Sequence, residues 1–196
     1  MAVFRKDRPP PGERILAAAD KLFYTKGIRA IGVDAIAAAA DVSKRTLYNY
    51  YASKDELVAA YLNARFRLIA PSDKPPAQQI LGVFDRLEKA FGSPDFRGCP
   101  FVNAVAEIGD PKHAARSIAF RFKEGRRQWF KDMLGRAGVR EPDALAMQMQ
   151  ILVDGAIAAV LVRADPAVAR SARDAAETLL RAAKITSAAP VRSVRR

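Results

Sequence analysis

The sequence predicts an all-α protein of about nine helices, with three short helices forming a head and the rest a larger body. Three observations carry this expectation. Apolar residues recur at helical spacing almost throughout, and strand-like alternation never survives more than a few residues. Compact turn signals, among them GSPDFRGCP, GDP, GVREPD and ADP, separate the periodic stretches. The proline-rich PSDKPP at 71–76 falls after four candidate helices, where a linker between two parts belongs.

Each element has its own signal. In GERILAAADKLFYTKG, Ile15, Ala19, Leu22 and Phe23 share one helical face, and Gly27 stops the pattern. A short helix follows over 33–40 with Gly32 at its cap position, then another over 44–50 that Ser43 can cap. SKDE at 53–56 is a capping box, with Ser53 at the N-cap and Glu56 three residues on. The helix it opens is expected to reach about residue 69 and die before Pro71. Further helices are expected over 77–91, 101–108, 113–137, 143–163 and 167–183, with Asp165 and Pro166 as N-cap and first helical residue of the last. The resulting division is a head over 1–56 with a connecting helix to about 70, a body over 71–184, and a loose basic tail over 185–196.

Composition narrows the function. A chain of 196 residues that is half hydrophobic and 28% charged reads as soluble and globular. The N-terminus lacks the apolar run of a secretory signal, and the uncharged GAIAAVLV at 155–162 is far short of a membrane span, so no membrane partner is expected. A lone cysteine, Cys99, excludes an internal disulfide framework and suits the cytoplasm. One histidine and no HExxH, P-loop or GxSxG pattern leave little for acid–base, covalent or metal chemistry, so no catalytic residue, metal ligand or cofactor is expected. His113, beside a helix start, reads as exposed. The net charge of +12 invites a nucleic-acid partner, yet residues 1–56 carry only ten cations against seven acids. The nine cations and two acids over 112–140 fit either a solvated helix face or an anion site.

The chemistry concentrates in VDAIAAAADVSKRTLYNY at 33–50. Ile36, Ala37, Val42 and Leu47 are placed to touch across a tight turn at Asp41, which is a helix-turn-helix arrangement. The second helix then presents Lys44, Arg45, Tyr48 and Asn49 outward, toward base edges in a major groove. Lysine and arginine donate to guanine O6 and N7, and tyrosine offers an apolar ring and a hydroxyl. Tyr51 falls with Leu47 on the inner face, while Tyr48 and Tyr50 cannot both be core. Lys54 sits in the first turn of the next helix, where free backbone N–H groups already favour a phosphate.

GIRAIGVDAIAAAADVSKRTLYNYYASKDELVAAYL resembles the DNA-binding segment of the TetR family of bacterial transcriptional regulators. The matching features are Phe23 and Gly27, Ile36-Ala37, Val42-Ser43, the TLY of 46–48 and SKDEL at 53–57, within residues 12–62. The resemblance implies that Thr46, Tyr48, Tyr50 and Lys54 contact double-stranded operator DNA, mostly its phosphates, while Lys44, Arg45 and Asn49 vary with operator sequence. Asp41 stands where the family usually has glycine, and Gly32 replaces a usual Ser or Thr cap, so a contact there would come from backbone N–H.

By the same resemblance the body would bind a small-molecule effector and form a homodimer, which makes the protein a ligand-responsive repressor. In the alanine-rich hairpin over 143–183, Gly155, Ala156, Ala159 and Ala176, with Leu152, Leu179 and Leu180, suit either a partner's helices or packing within the chain. Phe66, Cys99, Phe101, Asn103, Phe122, Trp129 and Met149 are candidates to line an effector pocket or to be plain core. An architectural DNA-binding protein without effector, or a small-molecule enzyme, are the alternative functions.

Overall fold

Proline opens three of the helices, at N1 positions where its missing N–H costs nothing. Pro11 starts α1 (Pro11–Lys26), Pro76 starts α5 (Pro76–Phe91) and Pro100 starts α6 (Pro100–Ile108). The computed structural model describes residues 8–185, and among these it contains nine helices and no strand. The others are α2 (Val33–Ala39), α3 (Lys44–Tyr50), α4 (Lys54–Arg65), α7 (Ala114–Arg136), α8 (Asp143–Arg163) and α9 (Val168–Ala182). The tail expected over 185–196 lies outside the described residues apart from the buried Ile185.

The chain divides into two compact units. The first comprises the described part of Met1–Arg67 together with Cys99–Phe120. Its core is fully buried Ile15, Ala19, Ile36, Leu47, Leu57 and Leu62, with Phe23 set edge-on to Tyr61 at 5.6 Å. The sequence expectation put everything beyond 71 in the body, whereas α6 and the first residues of α7 pack within this first unit. The Glu107 carboxylate accepts the Arg29 N–H at 3.1 Å, and the Phe101 ring meets Phe66 edge-on at 6.2 Å.

Helix α4 is shorter than the sequence suggests, ending at Arg65 rather than near 69. The Arg65 guanidinium stacks on Tyr24 at 4.1 Å and donates to Asp20 at 2.9 Å, which pins the last turn to α1. The next residue, Phe66, turns into extended backbone. None of these partners is close in sequence.

The second unit, Leu68–Gly98 with the described residues from Arg121 onward, packs α9 on α5 and α8. Ile80, Phe84, Phe130, Leu134, Met149, Val153 and Ala176 fill its core. Helix α9 starts at Val168, because Asp165 and Pro166 form a turn before it rather than its cap; the Asp165 carboxylate accepts the Ala167 N–H at 2.9 Å. Four of the nine cations over 112–140 are paired with acids on α8. Arg126 donates to Asp154 at 2.8 Å and to Gln150 at 2.9 Å, Lys123 joins the same Asp154, and Arg127 and Lys131 both bind Asp143. Asp143 is held below the usual carboxylate range by its hydrogen bonds from Lys131 and Arg127, and Glu124 by its bond from Arg127.

Helix α8, 21 residues long, is apolar enough to cross a membrane by length and composition alone. Here it buries Ala146, Met149, Val153, Ala156 and Val160 against α5 and α9. Its opposite face leaves Ala144, Met147, Ile151, Gly155, Ala158 and Val162 exposed at helical spacing, an uncharged stripe facing solvent.

Candidate nucleic-acid interface

Two short helices form the reading head. Gly32 is the N-cap of α2 with ordinary extended dihedrals (φ −83°), and a side chain there would meet nothing within 4 Å. Ile36, Ala37 and Ala40 are buried, and the turn passes through Asp41 at φ 51°. That is the left-handed conformation, which asparagine and aspartate tolerate better than most residues. Arg14 on α1 donates to the Ala40 carbonyl at 2.7 Å and the Asp41 carbonyl at 3.1 Å, and Arg8 pairs with the Asp41 carboxylate. The sequence reading missed this clamp. Its signal was an aspartate where a glycine is easier, since the extra backbone cost calls for a compensating contact.

Ser43 caps α3, its hydroxyl accepting the Thr46 N–H at 3.0 Å. The Thr46 hydroxyl lies 2.8 Å from that of Ser43, so its side chain is part of the cap. Leu47 is fully buried, which forces Lys44, Arg45, Tyr48, Asn49 and Tyr50 outward; all five are exposed. Neither Tyr48 nor Tyr50 is core, and Tyr51, expected inside, is only half-buried at the helix end. Lys44 lies 3.0 Å from Asp34 on α2, whose hydrogen bond raises the lysine pKa. Arg45 makes no ion pair with any described residue.

One half of the capping box forms as the sequence predicts, and its return bond falls one residue before the N-cap. Ser53 accepts the Glu56 N–H at 3.1 Å, and Glu56 accepts the Ala52 N–H at 2.7 Å. Lys54, half-buried, therefore begins a well-fixed α4. His113 departs from expectation: its side chain is only 9% exposed, with Nδ1 accepting the Ala115 N–H at 3.0 Å and Nε2 at 3.5 Å from Asp55 in the same turn as Lys54. It caps the start of α7, which a helix-starting position in sequence could have suggested.

Comparison with known proteins decides what this head belongs to. The family model for bacterial regulatory proteins of the tetR family matches residues 15–61. The solved structure of a TetR-type transcriptional regulator from Streptomyces avermitilis is 37% identical, covers 91% of this chain and 100% of that one, and superimposes with a TM-score of 0.82. The chain belongs to the TetR family. A TetR-family regulator from Streptomyces coelicolor is 30% identical over 88% of this chain and 95% of that one, with a TM-score of 0.78. The HTH-type transcriptional regulator YjdC of Escherichia coli is 24% identical over 180 residues, 88% of this chain and 94% of that protein. The molecule is thus an all-α TetR-family transcriptional regulator with a DNA-binding helix-turn-helix, and the family consists of regulators rather than enzymes.

In this TetR-family regulator the other expected site residues scatter. Phe66, Cys99, Phe101 and Asn103 fall in the first unit, with Cys99 and Phe101 buried. Phe122, Trp129 and Met149 fall in the second, where Met149 is core and the other two are half-buried on α7. Of the residues considered for a partner surface, Ala156, Ala176 and Leu180 are buried in their own unit, and Leu152 and Leu179 lean on its core. Gly155 is exposed and Ala159 half-exposed.

Proposed function

We propose that this TetR-family regulator is a homodimeric repressor whose hold on a twofold operator is weakened by a small-molecule effector. The observation that carries the reading is the exposed face of α3, where Lys44, Arg45, Tyr48 and Asn49 stand together opposite a fully buried Leu47. Arg45 and Lys44 donate to guanine edges, and Asn49 suits adenine. Thr46, Tyr48, Tyr50 and Lys54, with the backbone N–H groups after Gly32, hold phosphates and fix the register. Because Lys44 is already engaged by Asp34, Arg45 carries the larger share of base discrimination.

One α3 spans only a few base pairs, so useful specificity needs a second copy. The uncharged stripe of α8, from Met147 through Ile151 and Gly155 to Val162, is the proposed partner surface, with Ala159 at its margin. Phe122 and Trp129 are the proposed effector contacts in the second unit. Trp129 is the sole tryptophan of the chain, so its fluorescence reports an effector directly.

Reciprocity supplies the test. An effector that shifts Trp129 emission and weakens operator binding by about 5–150-fold must itself bind less tightly, by the same factor, to the operator-bound protein. A metabolite screen by Trp129 emission, followed by calorimetry with and without operator DNA, measures both affinities. Compounds that bind equally well in both states contradict the switch.

A further inference from the structure

Gly12 occupies the first turn of α1, directly after Pro9, Pro10 and Pro11. Glycine is the poorest ordinary helix former. Nor does the backbone require it, since the glycines at positive φ are Gly27, Gly98, Gly109 and Gly138. The reason for it lies on α3. A Cβ built on Gly12 would stand 2.9 Å from Cδ1 and 3.1 Å from Cε1 of Tyr50. The next residue, Tyr51, donates its hydroxyl to the Gly12 carbonyl at 3.4 Å. Two consecutive tyrosines at the end of α3 therefore close on the bare first turn of α1.

Tyr50 remains 49% exposed, so part of its ring lies on Gly12 while the rest faces solvent. A surface tyrosine with no such seat would sample several rotamers and lose that freedom on binding. We propose that Gly12 is a positioning residue for operator binding: by leaving room for the Tyr50 ring against α1, it holds that ring in one orientation for the DNA. The inference rests on the reading of Tyr50 as an operator contact. A methyl group at position 12 would stand inside van der Waals distance of the ring, so the ring must shift from its seat on α1. The helix itself loses nothing, because alanine is the better helix residue.

The test compares wild type, Gly12→Ala, Tyr50→Ala and the double variant, each measured for operator affinity and thermal unfolding. Gly12→Ala is expected to unfold no earlier than wild type yet to bind operator about 2–10-fold more weakly, the range of one immobilised side chain. Tyr50→Ala is expected to lose at least as much, and adding Gly12→Ala to it should cost nothing further. Full affinity of Gly12→Ala overturns the proposal, as does a loss that reappears undiminished in the Tyr50→Ala background. Full affinity of Tyr50→Ala removes the operator reading of Tyr50 and this inference with it. Independently of affinity, the Gly12 α-proton resonances of the free protein should carry a ring-current shift that vanishes in Tyr50→Ala; no such shift would overturn the packing.

Discussion

The Arg14 guanidinium donates to the Asp41 carbonyl at 3.1 Å, so α1 holds the residue on which the helix-turn-helix pivots. The same group reaches the Ala40 carbonyl at 2.7 Å, satisfying the end of α2 with a cation where the helix dipole is negative. Arg14→Ala is expected to destabilise the protein by about 1–3 kcal/mol, the scale of charge-assisted hydrogen bonds to groups then left unpaired. Asp41→Val should cost about 1–2 kcal/mol through the left-handed backbone alone, while Asp41→Gly should be tolerated. Thermal and urea unfolding of the three variants check this, and an Arg14→Ala protein as stable as wild type would remove the clamp.

Gly32 gives a prediction of opposite sign. Its φ is ordinary and a side chain there meets open space, so Gly32→Thr fits without strain. The new hydroxyl can cap α2, which should raise stability by only a few tenths of a kcal/mol. It also offers a phosphate a donor, so operator affinity should rise more than stability does. Gel-shift titration beside calorimetric unfolding separates the two effects; unchanged or weaker binding would mean that α2 begins away from the backbone of the DNA.

Asp143 and Glu124 set an acid limit. Both carboxyls are held low by cations, Asp143 by Lys131 then Arg127, and Glu124 by Arg127. A folded-state pKa below the unfolded one stabilises above the unfolded value, and that contribution is lost as pH falls through the folded one. Stability should therefore be level near neutrality and decline in acid, and Asp143→Asn should flatten the decline. Carbon-detected NMR titration of the two carboxyls reads the shifts directly. An Asp143 that titrates in the usual range would dissolve the ion-pair account of the basic segment.

The stripe on α8 predicts assembly. Ile151 is 60% exposed amid Met147, Gly155 and Val162. Ile151→Glu should yield monomers in sedimentation velocity while far-UV circular dichroism stays helical, and should lose tight binding to a palindromic site. Dimers that survive the substitution would place the interface elsewhere.

Local signals carried much of this molecule into view. The bounds of α3 and of α8 could be read because Ser43 caps one and Asp143 opens the other within the segment itself. The outward set Lys44, Arg45, Tyr48 and Asn49 followed from placing Leu47 inward with Ile36 and Val42, since that fixes the remaining faces of a short helix. What stayed hidden depends on partners far along the chain. The last turn of α4 is held at Arg65 by Asp20 and Tyr24, and no nearby residue announces that. His113 lies 3.5 Å from Asp55, nearly sixty residues earlier, and nothing beside it in sequence signals that. By sequence the 112–140 cations fit either a solvated face or an anion site, and Asp143 and Asp154, both beyond the segment, hold four of them. Ala156 and Ala176 suited a partner and the chain's own core equally well by size, and only burial separates those uses.

In the proposed operator complex the exposed face of α3 reads sequence in a twofold site, with Arg45 reading bases and Lys54 holding phosphate. In-vitro selection from random duplexes, run with wild type, Arg45→Ala and Lys54→Ala, tests it most directly. Wild type should enrich a palindrome whose half-sites lie about 34–36 Å apart or a multiple of that. Arg45→Ala should relax preference at symmetry-related bases, at a cost of about 1–3 kcal/mol for a bidentate contact. Lys54→Ala should enrich the same palindrome with weaker binding and a salt slope flatter by about one. Enrichment of a site without twofold symmetry, or of an unaltered motif by Arg45→Ala, would contradict the account.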